Sequence, residues 1–125
     1  MGFLDNVRGN ASAVDAESAN LDYARLLGEG ETIEHAYKLT RDMFLFTNRR
    51  LVLVDKQGMT GKKVEYLSIP YKAIQRFSVE TAGSFDYDAE LKIWTSGTTA
   101  PVEKQFSKAV NIYEVQSILA QYVCC

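Results

Sequence analysis

The sequence lacks the features that are typical of extracellular, membrane-spanning or metal-dependent proteins. The two cysteines, Cys124 and Cys125, are adjacent, so no disulfide framework is expected, because a bond between neighbouring residues is strained and closes no loop. The apolar runs are too short for a transmembrane helix. The first residues contain no basic segment followed by an apolar one, so no secretory signal is expected. These absences predict a cytoplasmic protein.

The sequence also lacks a large excess of positive or negative charge. The 14 basic and 16 acidic residues give a formal net charge of −2. This balance offers no general attraction to nucleic acid or to an anionic membrane. No nucleic-acid partner is therefore predicted, and a membrane contact would need a local basic patch. The length of 125 residues and the hydrophobic content of 46% predict one globular domain with its own core.

Hydrophobic periodicity predicts a helix, seven strands and a second helix. The first helix is expected at residues 12–27, within an N-terminal segment (residues 1–28) that precedes a β domain (residues 29–125). Alternating or fully apolar runs predict strands at residues 33–39, 43–47, 51–56, 63–69, 74–81, 84–95 and 102–106. Helical spacing returns after Asn111. This order is typical of a mainly β barrel or sandwich of antiparallel strands, with its open end covered by the C-terminal helix.

The segment KQGMTGKK, residues 56–63, has the glycines, threonine and lysines of a phosphate-binding loop. A Walker loop, however, needs four residues between its glycines and a helix directly after it. Only two residues separate Gly58 from Gly61, and predicted strands flank the segment on both sides. We therefore interpret the segment as a hairpin turn, in which glycine supplies the positive φ that such turns require.

Five cationic side chains remain as candidates for binding an anionic ligand. They lie at two turns that should fall at the same end of an antiparallel meander: Lys38, Arg41, Lys56, Lys62 and Lys63. Together they could form a rim that attracts an anion or an anionic lipid. The alternative is that they are separate, solvated side chains that only assist solubility.

Residues suited to catalysis or metal binding are scarce. His35 is the single histidine, and its place on the apolar side of an alternating strand predicts a buried, hydrogen-bonded side chain. Three carboxylates share one strand face at Asp86, Asp88 and Glu90. Neighbours in such a row are about 7 Å apart, which is too far to share a cation without a second strand. No catalytic residue, metal site or cofactor is therefore predicted.

Two predicted strands contain more apolar surface than one sheet face can bury. Residues 43–46 and 51–54 are apolar at consecutive positions, so both faces of the sheet must be covered. The side chains expected on the outward side are Met43, Leu45, Val52, Val54 and, on a later strand, Trp94. Either the N-terminal helix or another subunit must cover them. The second alternative predicts that these five residues form a homo-oligomer interface.

Five segments carry a further signal because of their order along the chain. They are RD…FTNRRLVLVD (residues 41–42 and 46–55), QGMTGKK (57–63), SIPY (68–71), FSVETAG (77–83) and AELKIW (89–94). In this order they resemble the bacterial pleckstrin-homology (PH) domain family, and the resemblance extends over about residues 24–123.

The resemblance implies seven antiparallel strands in two near-orthogonal sheets, a C-terminal capping helix and, here, an extra N-terminal helix. It also implies a ring-forming homo-oligomer without enzymatic activity, for which a pentamer is one arrangement. Eukaryotic relatives bind phosphoinositides through a Lys on the first strand and Lys/Arg-x-Arg on the second. Lys38 and Arg41 match that signature in part, and Met43 departs from it. We therefore expect a homo-oligomeric protein-interaction or scaffold module, with binding of an anionic lipid or another anionic ligand as the alternative.

Overall fold

The computed structural model describes residues 13–39, 42–59, 62–81, 89–107 and 109–124. They form two compact units, of which the first is Ser12–Pro70 and the second contains Tyr71–Cys125. Each unit is built around its own antiparallel sheet.

The first unit is a five-stranded antiparallel sheet with a short helix packed on it. Its elements are β1 (Ala13–Val14), α1 (Ala16–Asp22), β2 (Ile33–Lys38), β3 (Met43–Thr47), β4 (Arg50–Gln57) and β5 (Lys63–Pro70). The strands lie in the order β1-β2-β3-β4-β5, and a 3₁₀ turn at Ala24–Leu26 follows α1. From β2 onwards the connections are short, since antiparallel neighbours can be joined by tight turns.

The N-terminal helix is shorter than the sequence predicts. It begins at Ala16, because the backbone of Asp15 is extended and the Asp15 carboxylate accepts a hydrogen bond from the Ser18 N–H at 3.2 Å. The two residues before Asp15, which the periodicity places in the helix, form β1 and pair with β2. The prediction of one continuous helix over residues 12–27 is therefore wrong, although its first residue lies outside the described residues.

Strand β2 contains an irregularity that changes which side chains share a face. Simple alternation places Ile33, His35 and Tyr37 together, but the register with β3 shifts between Ile33 and His35. Ile33 therefore packs with Ala36, whereas His35 and Tyr37 lie on the opposite face. There the rings of His35 and Tyr37 both make edge contacts with Phe46. His35 is partly rather than fully buried.

The second unit combines a three-stranded sheet with a C-terminal helix. Its elements are β6 (Ile74–Thr81), β7 (Ala89–Thr95), β8 (Val102–Phe106) and α2 (Ile112–Val123), and the strand order is β6-β7-β8. Asn111 caps α2, because its side chain accepts hydrogen bonds from the N–H groups of Tyr113 and Glu114. Near the other end of α2, the ring of Tyr122 stacks on Tyr71, with the centroids 4.5 Å apart.

The fold class predicted from the sequence is confirmed. The chain is mainly β, with two antiparallel sheets, an N-terminal helix and a C-terminal helix. Strands are present at all seven predicted places, and β1 is an additional strand. Ala89, Leu91 and Ile93 are buried, as the alternation in β7 predicts. The earlier part of that predicted strand, residues 84–88, lies outside the described residues.

Both faces of β3 and β4 are buried. One face carries Phe44, Phe46, Leu51 and Leu53, and the other carries Met43, Leu45, Val52 and Val54. The second set packs with Ala19 of α1, and Tyr23 and Leu26 extend the cover beyond the helix. Ala19 is 0% exposed, which shows how closely the helix approaches the sheet. The N-terminal segment therefore supplies the missing layer over this face.

The substitution Leu45→Ala tests whether α1 is the cover for this face. It should lower the free energy of unfolding by about 2–5 kcal/mol, because it leaves a cavity beneath the helix. The control Leu21→Ala lies on the outer side of α1, where Leu21 is 78% exposed, and should have an effect below about 0.5 kcal/mol. Chemical denaturation followed by the fluorescence of Trp94 measures both variants. A Leu45→Ala protein with unchanged stability but an altered mass in light scattering would contradict this assignment.

Candidate functional site

Four of the five side chains predicted to face another subunit lie beneath the N-terminal segment, in one buried cluster with Ala19 of α1. Met43 is 8% exposed, and Leu45, Val52 and Val54 are each 1% exposed. Of the two covers that the sequence left open, the structure shows the chain's own N-terminal helix. The reason for assigning these four residues to an oligomer interface is therefore removed, because their apolar surface is already buried within one chain.

Trp94, the fifth candidate, is half-buried in β7 and lies among polar side chains. Its cross-strand neighbour Arg76 places the guanidinium carbon 4.4 Å from the ring centroid. Such a cation–π contact contributes about 0.5–1 kcal/mol at an exposed site. Glu90 and Lys92 lie on the same face as an ion pair with a separation of 4.0 Å. Trp94 is thus covered in part by Arg76 and is not the centre of a broad apolar patch.

A partly buried ion pair fastens the N-terminal segment to the sheet. Arg50 donates from Nε to Glu31 Oε2 at 2.8 Å and from Nη2 to Glu31 Oε1 at 3.0 Å. The same guanidinium donates to the carbonyl oxygen of Leu26 and to the hydroxyl of Ser68. One side chain on β4 therefore joins the end of the 3₁₀ turn, the loop before β2 and the edge strand β5.

The Glu31 carboxylate receives two further hydrogen bonds. The Gly28 N–H donates to Oε1 at 2.9 Å, and the Thr47 hydroxyl donates to Oε2 at 2.7 Å. The Glu31 side chain is only 3% exposed. The hydrogen bond from Arg50 lowers the pKa of Glu31 to about 2, which outweighs the opposing effect of burial, and the Gly28 and Thr47 donors add to the lowering. Glu31 is therefore ionised throughout the physiological pH range.

The outer edge of β5 has no strand partner in the part of the chain that the structure describes. β5 is eight residues long and is the last strand of the first sheet. Tyr66 is 49% exposed, and Val64 and Leu67 are half-buried. An edge of this kind presents a row of backbone N–H and C=O groups to which another strand can bind.

The two turns predicted to form the basic rim do meet at one end of the first sheet. The Lys56 N–H donates to the Asp42 carboxylate at 3.3 Å, and the Leu39 N–H donates to the Asp42 carbonyl oxygen at 2.9 Å. The exposed lysines at this end are Lys38, Lys56, Lys62 and Lys63. Arg41, the fifth predicted member, lies outside the described residues.

This end of the sheet also carries acidic side chains. Besides Asp42, it holds Asp55 and Glu65, which lie opposite each other in the β4–β5 register. The rim is therefore mixed in charge, which weakens its attraction for an anion. One apolar side chain stands out here, since Met59 is 100% exposed beside Gly58, whose φ of +79° makes the turn.

Among the described residues, the remaining polar candidates do not assemble into a reactive site. Asp86 and Asp88 of the predicted acidic row lie outside the described residues, and so does Cys125. Cys124 is exposed. Within the described ranges, no group of three or more His, Cys, Asp or Glu side chains could hold a metal ion. No helix in those ranges is long and apolar enough to cross a membrane.

The comparisons with known proteins agree with this architecture. The family model for the bacterial PH domain matches residues 2–123. This chain belongs to the bacterial PH-domain family. Its most similar curated relatives include two uncharacterized Bacillus subtilis strain 168 proteins. YjqA is 57% identical over 121 residues, covering 96% of this chain and 97% of YjqA. YozO is 40% identical over 99 residues, covering 79% of this chain and 84% of YozO.

Solved structures of bacterial PH domains have the same fold. A pleckstrin homology domain from Shewanella amazonensis SB2B is 50% identical, with a TM-score of 0.85 over 97% of this chain and 98% of that chain. A DUF1696 family protein with a pleckstrin-homology domain from Shewanella loihica PV-4 is 46% identical, with a TM-score of 0.81 over 90% of this chain and 96% of that chain. The sequence resemblance and the PH-like fold class are thereby confirmed.

Sequence reasoning missed the polar residues that position the N-terminal segment of this bacterial PH domain. Glu31 and Arg50 are 19 residues apart, and no spacing rule connects a loop glutamate to a strand arginine across that distance. Asn20 did leave a signal, because asparagine is unfavourable inside a helix unless its side chain has a specific partner. That partner is the backbone of Ile33.

The ionisation of Glu31 predicts a defined pH dependence of stability. The folded-state pKa lies below the ordinary value of 4.5, so the stabilisation is complete above about pH 4.5 and is lost as the pH falls towards about 2. The full effect is about 3 kcal/mol at most. Glu31→Gln should flatten the unfolding free energy across this window, as measured by urea titrations at several pH values. The exposed neighbour Glu29→Gln is the matched control, and equal slopes in both variants would contradict the prediction.

Proposed function

We propose that this bacterial PH domain is a non-catalytic, homo-oligomeric interaction module of the cytoplasm, and that it assembles through the outer edge of β5. The observation that carries the proposal is the lack of a strand partner for this edge among the described residues. Addition of a strand from another copy would satisfy the outward backbone groups of β5 and extend the sheet. The module needs no cofactor for this role.

The residues of β5 limit where a partner strand can bind. Pro70 has no N–H to donate, and Lys63 places a charge at the other end of the strand. Both features are typical of edge strands that avoid uncontrolled pairing. The middle of the strand is less protected, because Val64, Tyr66 and Leu67 offer apolar surface there. Residues 64–69 are therefore the proposed contact.

The symmetry of the assembly depends on what β5 contacts. Two copies that pair through β5 alone form an isologous dimer with a two-fold axis. A ring, which the family resemblance implies, requires β5 of one copy to contact a different surface of the next copy. The exposed Arg76 on β6 and the half-buried Trp94 on β7 offer one such surface.

The substitution Tyr66→Lys tests the β5 interface. A lysine at this position would place a charge inside the proposed contact, where it loses hydration, so the oligomer should dissociate. Size-exclusion chromatography with light scattering at tens of micromolar should give more than one chain mass for the parent and about 14.0 kDa for the variant. Tyr113→Lys on α2, where Tyr113 is 68% exposed, is the matched control and should keep the parent mass. A parent protein that is strictly monomeric would overturn the proposed function.

A second candidate function is binding to an anionic membrane surface through the β4–β5 turn. The observation in its favour is the fully exposed Met59, which lies among Lys56, Lys62 and Lys63. An apolar side chain between lysines suits the boundary between lipid headgroups and acyl chains, and each lysine near such a surface adds about 1 kcal/mol. The carboxylates of Asp42 and Glu65 at the same end oppose this attraction.

Cosedimentation with vesicles tests the membrane candidate. Binding to vesicles that contain phosphatidylserine should fall with rising salt, and Lys62→Glu should weaken it at least about fivefold. Lys72→Glu, an exposed lysine in the second unit, is the charge control. Met59→Ser should also weaken binding to these vesicles, because it removes the apolar side chain at the lipid boundary. It should leave the binding of a soluble anion such as inorganic phosphate unchanged. Equal sedimentation with neutral and anionic vesicles would exclude the candidate.

A further inference from the structure

The two edges of the five-stranded sheet differ in how their backbone groups are paired. Along its eight residues, the outer edge of β5 pairs with no strand that the structure describes. The opposite side ends with β1, which is only two residues long and pairs with Ala36 and Tyr37 of β2. β2 itself has six residues, so β1 covers only part of its outer edge. The rest of that edge needs a different partner for its backbone groups.

The side chain of Asn20 supplies that partner. Its carboxamide oxygen accepts a hydrogen bond from the Ile33 N–H at 2.9 Å, and its nitrogen donates to the Ile33 carbonyl oxygen at 2.9 Å. One acceptor and one donor directed at the same residue are what a neighbouring strand would provide. Asn20 is held in place by a third hydrogen bond, from its nitrogen to the Ala16 carbonyl oxygen at 2.8 Å.

We propose that Ala13, Val14 and Asn20 form an edge cap, which prevents the outer edge of β2 from accepting a strand of a second copy. The pairing of β1 with β2 shows that this edge accepts an antiparallel strand. Every copy also carries a strand of suitable length whose outer edge no described strand pairs, because the less protected part of β5, residues 64–69, matches the six residues of β2. A second copy is therefore the occupant that the cap excludes.

Without the edge cap, each copy would have two open edges, and copies could add to one another repeatedly. If both edges were free, β5 of one copy could pair with β2 of the next, and each addition would expose a new edge. Such head-to-tail contacts grow into open filaments unless the rotation happens to close a ring. The inference rests on the proposed β5 interface, and it assigns the N-terminal segment the task of limiting growth there.

An opened variant of the full chain tests the edge cap. It combines Ala13→Pro, Val14→Pro and Asn20→Ala. Consecutive strand residues direct their N–H groups to opposite sides, so the two prolines remove whichever N–H faces β2. The matched control combines Ala16→Pro with Gln121→Ala. Proline is well tolerated at the first position of a helix, and Gln121 is an exposed amide on α2.

Light scattering over a tenfold range of concentration gives the result. The mean mass of the opened variant should rise about twofold or more from the lowest to the highest concentration, as expected for open-ended addition. The parent and the control should each keep one mass throughout. Adding Tyr66→Lys to the opened variant should abolish the growth, since it charges the β5 strand. Circular dichroism verifies that each variant retains its strands.

The outcomes separate this inference from the proposed function. A folded opened variant with the parent mass would overturn the edge cap. Growth that persists after Tyr66→Lys would also overturn it, because unfolded chains rather than strand pairing would then be the cause. A monomeric parent whose opened variant grows would refute the proposed oligomeric function and support the edge cap on its own.

Discussion

Strands β3 and β4 carry apolar side chains on both faces, and a sheet of this kind is stable only when water reaches neither of them. The chain meets this constraint on one face by folding its own N-terminal segment across Met43, Leu45, Val52 and Val54. A helix of seven residues is too short to be stable alone, so α1 exists because of the surface beneath it. The folded structure of the first unit thus depends on the burial of this one sheet face, where the helix and the sheet stabilise each other.

Polar contacts determine where that segment lies. Hydrophobic burial is not directional, so it cannot by itself choose one position for α1. The hydrogen bonds that Arg50 donates to Glu31 and Leu26, and the one that Asn20 accepts from the Ile33 N–H, fix the segment at two places. The partly buried Arg50–Glu31 ion pair costs desolvation, which the four hydrogen bonds accepted by the Glu31 carboxylate offset. These contacts fix the position of the segment. Through Asn20 they occupy part of the outer edge of β2, whereas no described strand pairs with the outer edge of β5.

The strands could be predicted because their periodicity is local. Alternation in β7 and the apolar runs of β3 and β4 each identify a strand without knowledge of its neighbours. The candidate interface was harder to predict, because the sequence showed an apolar surplus but not what covers it. The β2 bulge and the two-residue strand β1 left no pattern, since both arise from pairing with a distant segment. The meeting of the two lysine-bearing turns followed from meander topology, whereas the acidic partners at that end depended on register.

The amino-acid sequence by itself determined the fold class, the family and the excess of apolar surface on β3 and β4. These properties depend on side-chain type and spacing, which are written along the chain. Only the tertiary structure decided that the chain covers this surface itself, that Asn20 and Arg50 hold the cover, and that β5 is the edge left unpaired by any described strand. Those outcomes depend on contacts between residues far apart in sequence. Such contacts require the loops between them to close, and local preference does not decide which of them form.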